Sequence, residues 1–473
     1  MKMWRYMIYM TLMWTASLAT SSRRILQVTV FARSGARANY KKIPGMNLIS
    51  KYGKGGLTGV GMRQQFLLGK DIQRRYSDLI QPSLIKQSEI EVITSQVGRS
   101  QQSAISMMQG FFSPGTGESI STEDNFWWSP PYNHLDIDLP LGKNSLPEAL
   151  KVVPLKSDSQ NLDFMFIPDF AKVCTGGAVL EQKFRENIYH ENKKNFEIFG
   201  QTLIKAGFIS KDIYSQDHWN VNSLYNFADD MICYKYYYGK LYPGLTDELM
   251  EKIESFMGYR TALDMHDYKY SIVRSHGIAK NIIEGLKTVR TGKKPKKLRV
   301  VLGHDTNILS HMLLLKLTTV DCLKSTFNLN AHQSNCHAYP SFASQFIYEV
   351  SQADDMAIEA RLMYNGMLVK ICQDTSSNEY CDIDKFIDTI DRLLTVSGNA
   401  FEKICMNRYI DNNKTWIRRR IDQAQEISGF SSMVFYCILA GAMINFGMLV
   451  AVVAKAKQLR RKMKIINNDP MVV

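Results

Sequence analysis

The sequence predicts an α/β protein in which a mainly parallel central sheet is flanked by helices. Three segments carry this prediction, because each reads as a strand that feeds a turn or loop and then a helix; they begin at Leu26, Ile90 and Leu298. Between the last two, residues 180–290 hold many helix formers and few strand signals. This predicts a helical insertion in that stretch.

The first strand candidate, residues 26–32, alternates weakly and is rich in β-branched and aromatic side chains. A glycine-rich loop follows, and then a helix that Thr58 is predicted to cap. In that helix Met62, Phe66 and Leu67 recur at helical spacing. The loop lacks the G-x-x-x-x-G-K-[ST] pattern, so a plain connection is preferred to a phosphate loop.

The second strand candidate covers residues 90–96 and runs into a helix, and the third covers residues 298–302 and leads through a short turn into another. Two later strand candidates read SQFIYEV and IEARLMYNGMLVKIC. Within the second of these, Asn365-Gly366 is the strongest hairpin signal in the chain.

The N-terminus has the order of a secretory signal peptide, which is predicted for residues 1–21. Lys2 and Arg5 precede an apolar stretch, and small residues follow it. An uncleaved signal anchor is the alternative. Residues 22–428 then form a luminal or extracellular domain.

The C-terminus predicts a transmembrane helix over residues 429–454, a long hydrophobic run about the length of a bilayer crossing. A buried globular helix is the alternative. The following tail, residues 455–473, holds six Lys or Arg residues and one acid, and it contributes +5 of the net charge of +13. A single-pass type I membrane protein of the secretory or endolysosomal system, or of the cell surface, is therefore expected.

The charge distribution and the cysteines restrict the kinds of partner and of metal site that the sequence predicts. Anionic lipids account for the basic tail, and no zinc-finger or RNA-binding signature is present, so a nucleic-acid partner is not predicted.

Cys437 lies in the hydrophobic segment, which leaves an odd number of cysteines outside it and therefore at least one that is free or paired between chains. C-x-x-C spacing does not occur, which argues against a zinc site. A homodimer is left open, and Asn413 is a predicted glycosylation site.

Charged or titratable residues follow all three early strands. They are Arg33 and Arg37, Arg99, and the pair His304 and Asp305. Ligands in such sheets bind beyond the carboxyl ends of the strands. Guanidinium groups bind phosphate oxygens in a bidentate way, a histidine can bind an oxyanion, and an aspartic acid can serve as general acid if its surroundings keep it protonated. The sequence therefore predicts an anion site suited to phosphoryl transfer. Salt-bridged surface arginines and a simple helix cap are the alternative.

The same segments resemble the histidine acid phosphatase family, over roughly residues 26–386. VTVFARSGARAN resembles the family's R-H-G-x-R-x-P strand end, and GGLTGVGMRQQFLLGKDIQRRY its L-T-x-x-G segment. TSQVGRSQQSAISMMQGFF is similar to the segment with the third phosphate-binding arginine, and VLGHDTNILSHML to the His-Asp motif. The resemblance implies a phosphoglycerate-mutase-like core with a smaller helical cap, placed roughly at residues 130–290.

The resemblance also implies residue roles. Arg33, Arg37, Arg99 and His304 would bind phosphate, and Asp305 would be the proton donor to the leaving group. It implies no metal and no cofactor, and a phosphate monoester as ligand. It further implies a disulfide between Cys372 and Cys381 and a likeness to the lysosomal type of acid phosphatase.

One departure falls at the position of the family's nucleophile. Ser34 stands where the family has the histidine that carries the phosphoryl group, and Asn39 stands where it usually has proline. A serine needs a general base or a metal to attack phosphorus. The expectation is therefore a membrane-anchored protein that binds phosphate monoesters with phosphohistidine turnover lost or reduced. An active acid phosphomonoesterase and a non-catalytic surface or structural protein are the alternatives.

Overall fold

The structure is a computed structural model, and all its described residues belong to one compact unit, Met1–Asn407. It describes residues 23–41, 43, 46–120, 143–157, 165–167, 174, 191–210, 214–215, 218–219, 221–265, 268–293, 295–329, 336–372, 379–395, 401 and 405. The predicted signal peptide, transmembrane segment, basic tail and Asn413 lie outside these residues. Of the helices within them, none has the length and apolar composition for crossing a membrane.

An eight-stranded mixed sheet organises the described residues. Its strands are β1 (Arg24–Arg33), β2 (Ile90–Thr94), β3 (Leu155–Lys156), β6 (Leu298–Gly303), β7 (Gln345–Gln352), β8 (Ile358–Tyr364), β9 (Met367–Val369) and β10 (Cys381–Asp382). The strand order is β10-β8-β7-β1-β6-β2-β3, with β9 paired to β8. A separate hairpin joins β4 (Tyr214–Ser215) to β5 (His218–Trp219).

The sheet is parallel on one side only. β6 pairs in parallel with β1 and with β2, and β2 pairs in parallel with β3. From β7 onwards every pair is antiparallel. The prediction of a mainly parallel sheet is corrected to a mixed one, because the links between β7, β8 and β9 are far too short for the crossover that a parallel neighbour needs.

The predicted hairpin at Asn365-Gly366 is confirmed. It joins β8 to β9, and both residues have a positive φ, 48° and 82°. That conformation at both central positions favours Asn-Gly in a two-residue turn.

Helices cover the sheet. They are α1 (Leu48–Tyr52), α2 (Gly59–Arg75), α3 (Gly98–Phe111), α4 (Val221–Tyr238), α5 (Asp247–Leu263), α6 (Tyr268–Arg290), α7 (Asp305–Leu314), α8 (Val320–Leu329) and α9 (Ile383–Thr395), with a further helical stretch over 191–205. Within the predicted cap region, the described residues include α4, α5 and α6 but also β3 at the edge of the sheet.

β1 lies at the centre of the core because its side chains are buried on both faces. Val30 and Ala32 pack with residues of α2 and α3, while Phe31 belongs to the cluster on the opposite face. Buried central strands carry near-continuous apolar runs for this reason. The strand is therefore a rigid support for the loop that begins after Arg33.

Six cysteines form three disulfides among the described residues: Cys174–Cys405, Cys322–Cys336 and Cys372–Cys381. The last pair confirms the bridge that the resemblance implied. Cys233 is free and buried, which agrees with the odd cysteine count.

Candidate active site

The predicted site residues meet at one edge of the sheet. β1, β6 and β2 are parallel neighbours, so their carboxyl ends lie side by side. Arg33 is the last residue of β1, and His304 and Asp305 directly follow β6. Arg99 lies in the first turn of α3, a few residues beyond the end of β2.

The loop after β1 is held against α2 by backbone proximity. A Cβ on Gly35 would lie 2.3 Å from the carbonyl oxygen of Gly61, so only glycine fits there. The predicted Thr58 cap is confirmed, since its hydroxyl accepts from the Gly61 amide; it also donates to the carbonyl of Ala36.

The backbone amides of this loop are already paired. Gly35 donates to Ser103 Oγ at 3.2 Å, and Ala36 donates to Gln64 Oε1 at 2.9 Å. Small residues such as Gly35 and Ala36 allow backbone amides to approach a ligand closely. Here these two amides instead fix the loop, because side chains of α2 and α3 accept their hydrogen bonds.

Arg33 is a buried cation that points from the strand end towards Asp305. Its Nη2 donates to Oδ2 of Asp305 at 3.2 Å, and its Nη1 donates to the carbonyl of Pro340. The guanidinium also stacks over the ring of Phe342, 4.2 Å from the centroid. These contacts fix its orientation in the pocket.

Arg37 is paired with a carboxylate from the cap. Its Nη2 and Nη1 donate to the two carboxylate oxygens of Asp229, on α4, at 2.7 and 3.1 Å. Nη1 also lies 3.3 Å from the carbonyl of Ala38 and 3.5 Å from Sγ of Cys233. Within the described residues Nε has no hydrogen-bond partner, so the edge that carries Nε remains for an anion.

Arg99 and His304 are direct neighbours in the site. Nη2 of Arg99 lies 3.3 Å from Nδ1 of His304, and its Nη1 donates to the hydroxyl of Tyr40 at 3.1 Å. Because an arginine can only donate, Nδ1 must accept, which places the imidazole proton on Nε2. Among the described residues this buried Nε2 has no partner.

His304 is held neutral. Burial lowers its pKa, and the charges of Arg99, Arg33 and Arg37 lower it further, to about 3. A neutral imidazole with a free Nε2–H is a hydrogen-bond donor that an oxyanion can satisfy.

Asp305 is surrounded by donors. Oδ2 accepts from the hydroxyl of Tyr339 at 2.6 Å as well as from Arg33, and Oδ1 accepts from the amide of Thr306 at 2.8 Å. Burial raises the pKa of Asp305, but the charge of Arg33 and the Tyr339 hydrogen bond outweigh it, so the pKa lies well below its ordinary value.

Ser34 has no base beside it within the described residues. Its hydroxyl donates to the carbonyl of Gly303 at 3.1 Å and lies 3.0 Å from the hydroxyl of Ser100. Neither group takes up a proton at ordinary pH. The side chain is buried, and its hydroxyl is directed towards the carbonyl of Gly303 and the hydroxyl of Ser100.

Three contributors were not predicted from the sequence. Asp229 and Tyr339 reach the site from the cap helix and from the loop before β7, and Tyr40 stacks on Arg37. Two adjacent acids in the otherwise mostly uncharged helix α4, Asp229 and Asp230, were the available signal for the first. No sequence pattern singled out the two tyrosines.

The sequence matches one family model, that of the histidine phosphatase superfamily (branch 2), over residues 13–365. No curated protein matches the sequence.

Solved structures with a similar fold include phytases. The chain is similar to Klebsiella sp. ASR1 phytase, with 11% identity and a TM-score of 0.53, over 79% of this chain and 96% of that one. It is similar to Hafnia alvei phytase in complex with myo-inositol hexakis sulphate, with 12% identity and a TM-score of 0.52, over 79% and 98%. The phytase from D. castellii is also similar, with 12% identity and a TM-score of 0.52, over 81% and 82%.

Proposed function

Because this chain belongs to branch 2 of the histidine phosphatase superfamily, we propose that its pocket binds the phosphate group of a phosphate monoester and that phosphohistidine turnover is lost or strongly reduced. In this proposal Arg33, Arg37, Arg99 and His304 bind the phosphate. Asp305 is the proton donor whenever a leaving group departs, and Ser34 occupies the nucleophile position.

The observation that carries the binding proposal is the neutral His304 beside Arg99. Its Nε2–H is buried and has no acceptor among the described residues, which is costly unless a ligand supplies one. Arg33 and Arg37 are permanent cations near the same point, and their charges act on His304. A tetrahedral oxyanion satisfies all these donors at once.

The environment of Ser34 supports the loss of turnover. Attack on phosphorus requires that the hydroxyl lose its proton to a base, and its hydrogen bond goes to the carbonyl of Gly303 instead. Asp305 is the carboxylate of the site that could act as this base, but its described hydrogen bonds are with Arg33, Tyr339 and Thr306. The hydroxyl of Ser34 is therefore not activated.

Hydrolysis of p-nitrophenyl phosphate at acidic pH tests turnover. We expect the full-length chain to be nearly inactive and Ser34→His to gain about 10³-fold or more, since loss of a nucleophile costs on the order of 10⁶ in rate. Ser34→Ala is the matched control and should stay as inactive as the natural chain. Strong natural activity that Asp305→Asn abolishes would contradict the proposal and favour an active phosphomonoesterase.

Anion binding tests the pocket itself. Millimolar phosphate or vanadate should raise the midpoint of thermal unfolding, and Arg37→Ala should remove this stabilisation. If neither anion changes the midpoint, the pocket has no binding role and a structural protein becomes the better description.

We also propose that the chain enters the secretory pathway through residues 1–21 and is anchored by residues 429–454, with Asn413 glycosylated on the luminal side. Three disulfides among the described residues support an oxidising compartment. Two measurements test this arrangement. Glycosidase treatment should lower the apparent mass of the protein, and protease should digest the tail in intact vesicles.

A further inference from the structure

The carboxyl group of Asp305 is held entirely by donors within the described residues. A guanidinium, a phenol and a backbone amide occupy its two oxygens, from Arg33, Tyr339 and Thr306. If this carboxyl were protonated, only the phenol oxygen of Tyr339 could accept its proton, since the guanidinium and the backbone amide can only donate. The arrangement therefore stabilises the carboxylate and disfavours the acid.

The charged groups that face Asp305 act in the same direction. Cations come from three elements, and they are Arg33, Arg37 and Arg99. The site also holds one further carboxylate, that of Asp229, and three neutral titratable side chains, those of His304, Tyr225 and Tyr339. Burial raises the pKa of Asp305, but the cations and the tyrosine hydrogen bond lower it more. The pKa of Asp305 therefore lies far below its ordinary value.

We propose that the ionised Asp305, held by Tyr339, Arg33 and the Thr306 amide, makes the pocket select a phosphate monoester that still carries one proton. This inference rests on the proposed function, because it concerns the ligand of the same pocket. The ligand class is the monoanion R–O–PO₃H⁻, and the discriminated competitors are tetrahedral oxyanions that lack a P–OH group.

The selection follows from donor and acceptor matching. Arg37, Arg99 and Nε2 of His304 present donors, which any oxyanion accepts equally well. The carboxylate of Asp305 presents an acceptor. This carboxylate repels a ligand oxygen that carries no proton, and nothing compensates for the repulsion. From a P–OH group of the ligand it accepts a charge-assisted hydrogen bond.

The proton that a leaving group needs then has a source in the ligand. The unliganded carboxylate holds no proton, and the P–OH of the bound monoanion lies against it. Asp305 is therefore a proton acceptor on binding, and it can donate only after it has taken the ligand's proton.

Methyl phosphate and methyl sulfate form a matched pair of probes. At pH 5 both are tetrahedral monoanions, and they differ in the single P–OH proton, because the second pKa of a phosphate monoester is about 6. Isothermal titration of the full-length chain at pH 5 measures both affinities. We expect methyl phosphate to bind about tenfold to hundredfold more tightly, the range for a hydrogen bond to a charged group.

Asp305→Asn is the decisive variant. Its amide can donate to a sulfate oxygen, so the preference for methyl phosphate should shrink to less than about threefold through tighter binding of methyl sulfate. Asp229→Asn is the matched control. It removes a buried carboxylate that contacts Arg37, so both affinities can change while their ratio stays as in the natural chain.

The pH dependence gives a second readout. Methyl phosphate affinity should fall about tenfold per pH unit above pH 6 in the natural chain, as the monoanion disappears, and much less in Asp305→Asn. Equal binding of the two probes by the natural chain, or a preference that survives in Asp305→Asn, overturns the selection but leaves the phosphate pocket intact. Failure of both probes to bind overturns the proposed function as well.

Discussion

Two adjacent carboxyl groups on α4 have opposite roles. Asp229 pairs with Arg37, whereas Asp230 is buried next to that negative charge. Burial and the charge of Asp229 raise the pKa of Asp230 to about 7. Asp230 is therefore mostly protonated at acidic pH.

This predicts a loss of stability as pH rises. An acid whose pKa is raised in the folded state binds more protons there than in the unfolded state between about pH 4 and pH 7, so the free energy of unfolding falls through that window. Asp230→Asn should remove this loss and gain about 2 kcal/mol relative to the natural chain from pH 4 to pH 7. Denaturant unfolding at four pH values measures it, and a constant difference between the two proteins would contradict the prediction.

At the residue scale, sequence reasoning located the side chains that come directly after a strand. Arg33, Arg99, His304 and Asp305 could be placed together because the carboxyl ends of neighbouring parallel strands share one edge. Tyr339 could not, since it reaches Asp305 from an irregular segment and nothing in its neighbourhood fixes a direction. The Tyr339 hydrogen bond adds to the effect of the Arg33 charge in lowering the pKa of Asp305, so the sequence could not predict this lowering in full.

At the element scale, α2 and α3 touch through their backbones. A Cβ on Gly69 would lie 2.1 Å from the carbonyl oxygen of Met107, and one on Gly110 would lie 2.1 Å from that of Phe66. These two helices fix the loop after β1 and carry Arg99. Their close packing therefore determines how the arginines are spaced.

Gly110→Ala should destabilise the protein despite the better helix propensity of alanine. We expect a cost of about 3 kcal/mol, because the clash is with backbone that cannot rotate away. Gly98→Ala, in the first turn of the same helix, is the matched control, since its Cβ would meet nothing within 4 Å. Chemical unfolding of both variants decides the matter, and equal midpoints would rule out this close contact.

The sequence predicted where the strands lie, but it indicated only in part which strands run parallel and which antiparallel. The Asn365-Gly366 turn showed that two late strands run antiparallel, yet three strand-to-helix segments outweighed it in the prediction of a mainly parallel sheet. The five residues 353–357 between β7 and β8 carried the same information. Connection length was a better guide to strand direction than the count of strand–helix units.

At the scale of the whole molecule, one disulfide joins distant parts of the chain. Cys174 and Cys405 are separated by 231 positions, whereas Cys372 and Cys381 are separated by nine. The long bridge connects the segment before α4 to the end of the described chain. It restricts the unfolded chain far more than the short one does.

Replacing each pair by serines should give unequal costs. Loop-closure entropy predicts a loss of about 5 kcal/mol for the 174–405 pair and about 3 kcal/mol for the 372–381 pair. Urea unfolding under non-reducing conditions compares the two variants. A larger loss for the short bridge would show that strain or residual structure, rather than chain entropy, controls the effect.

The pairing of Arg37 with Asp229 also couples anion binding to the docking of α4. Arg37 belongs to the loop after β1, while Asp229 belongs to the cap, so one guanidinium joins the two and faces the ligand position at the same time. Any partial opening that pulls α4 away misorients the arginine and weakens the binding of the anion. By reciprocity a bound anion must oppose that opening to the same extent, so the amides of α4 would exchange with deuterium more slowly when the pocket is occupied.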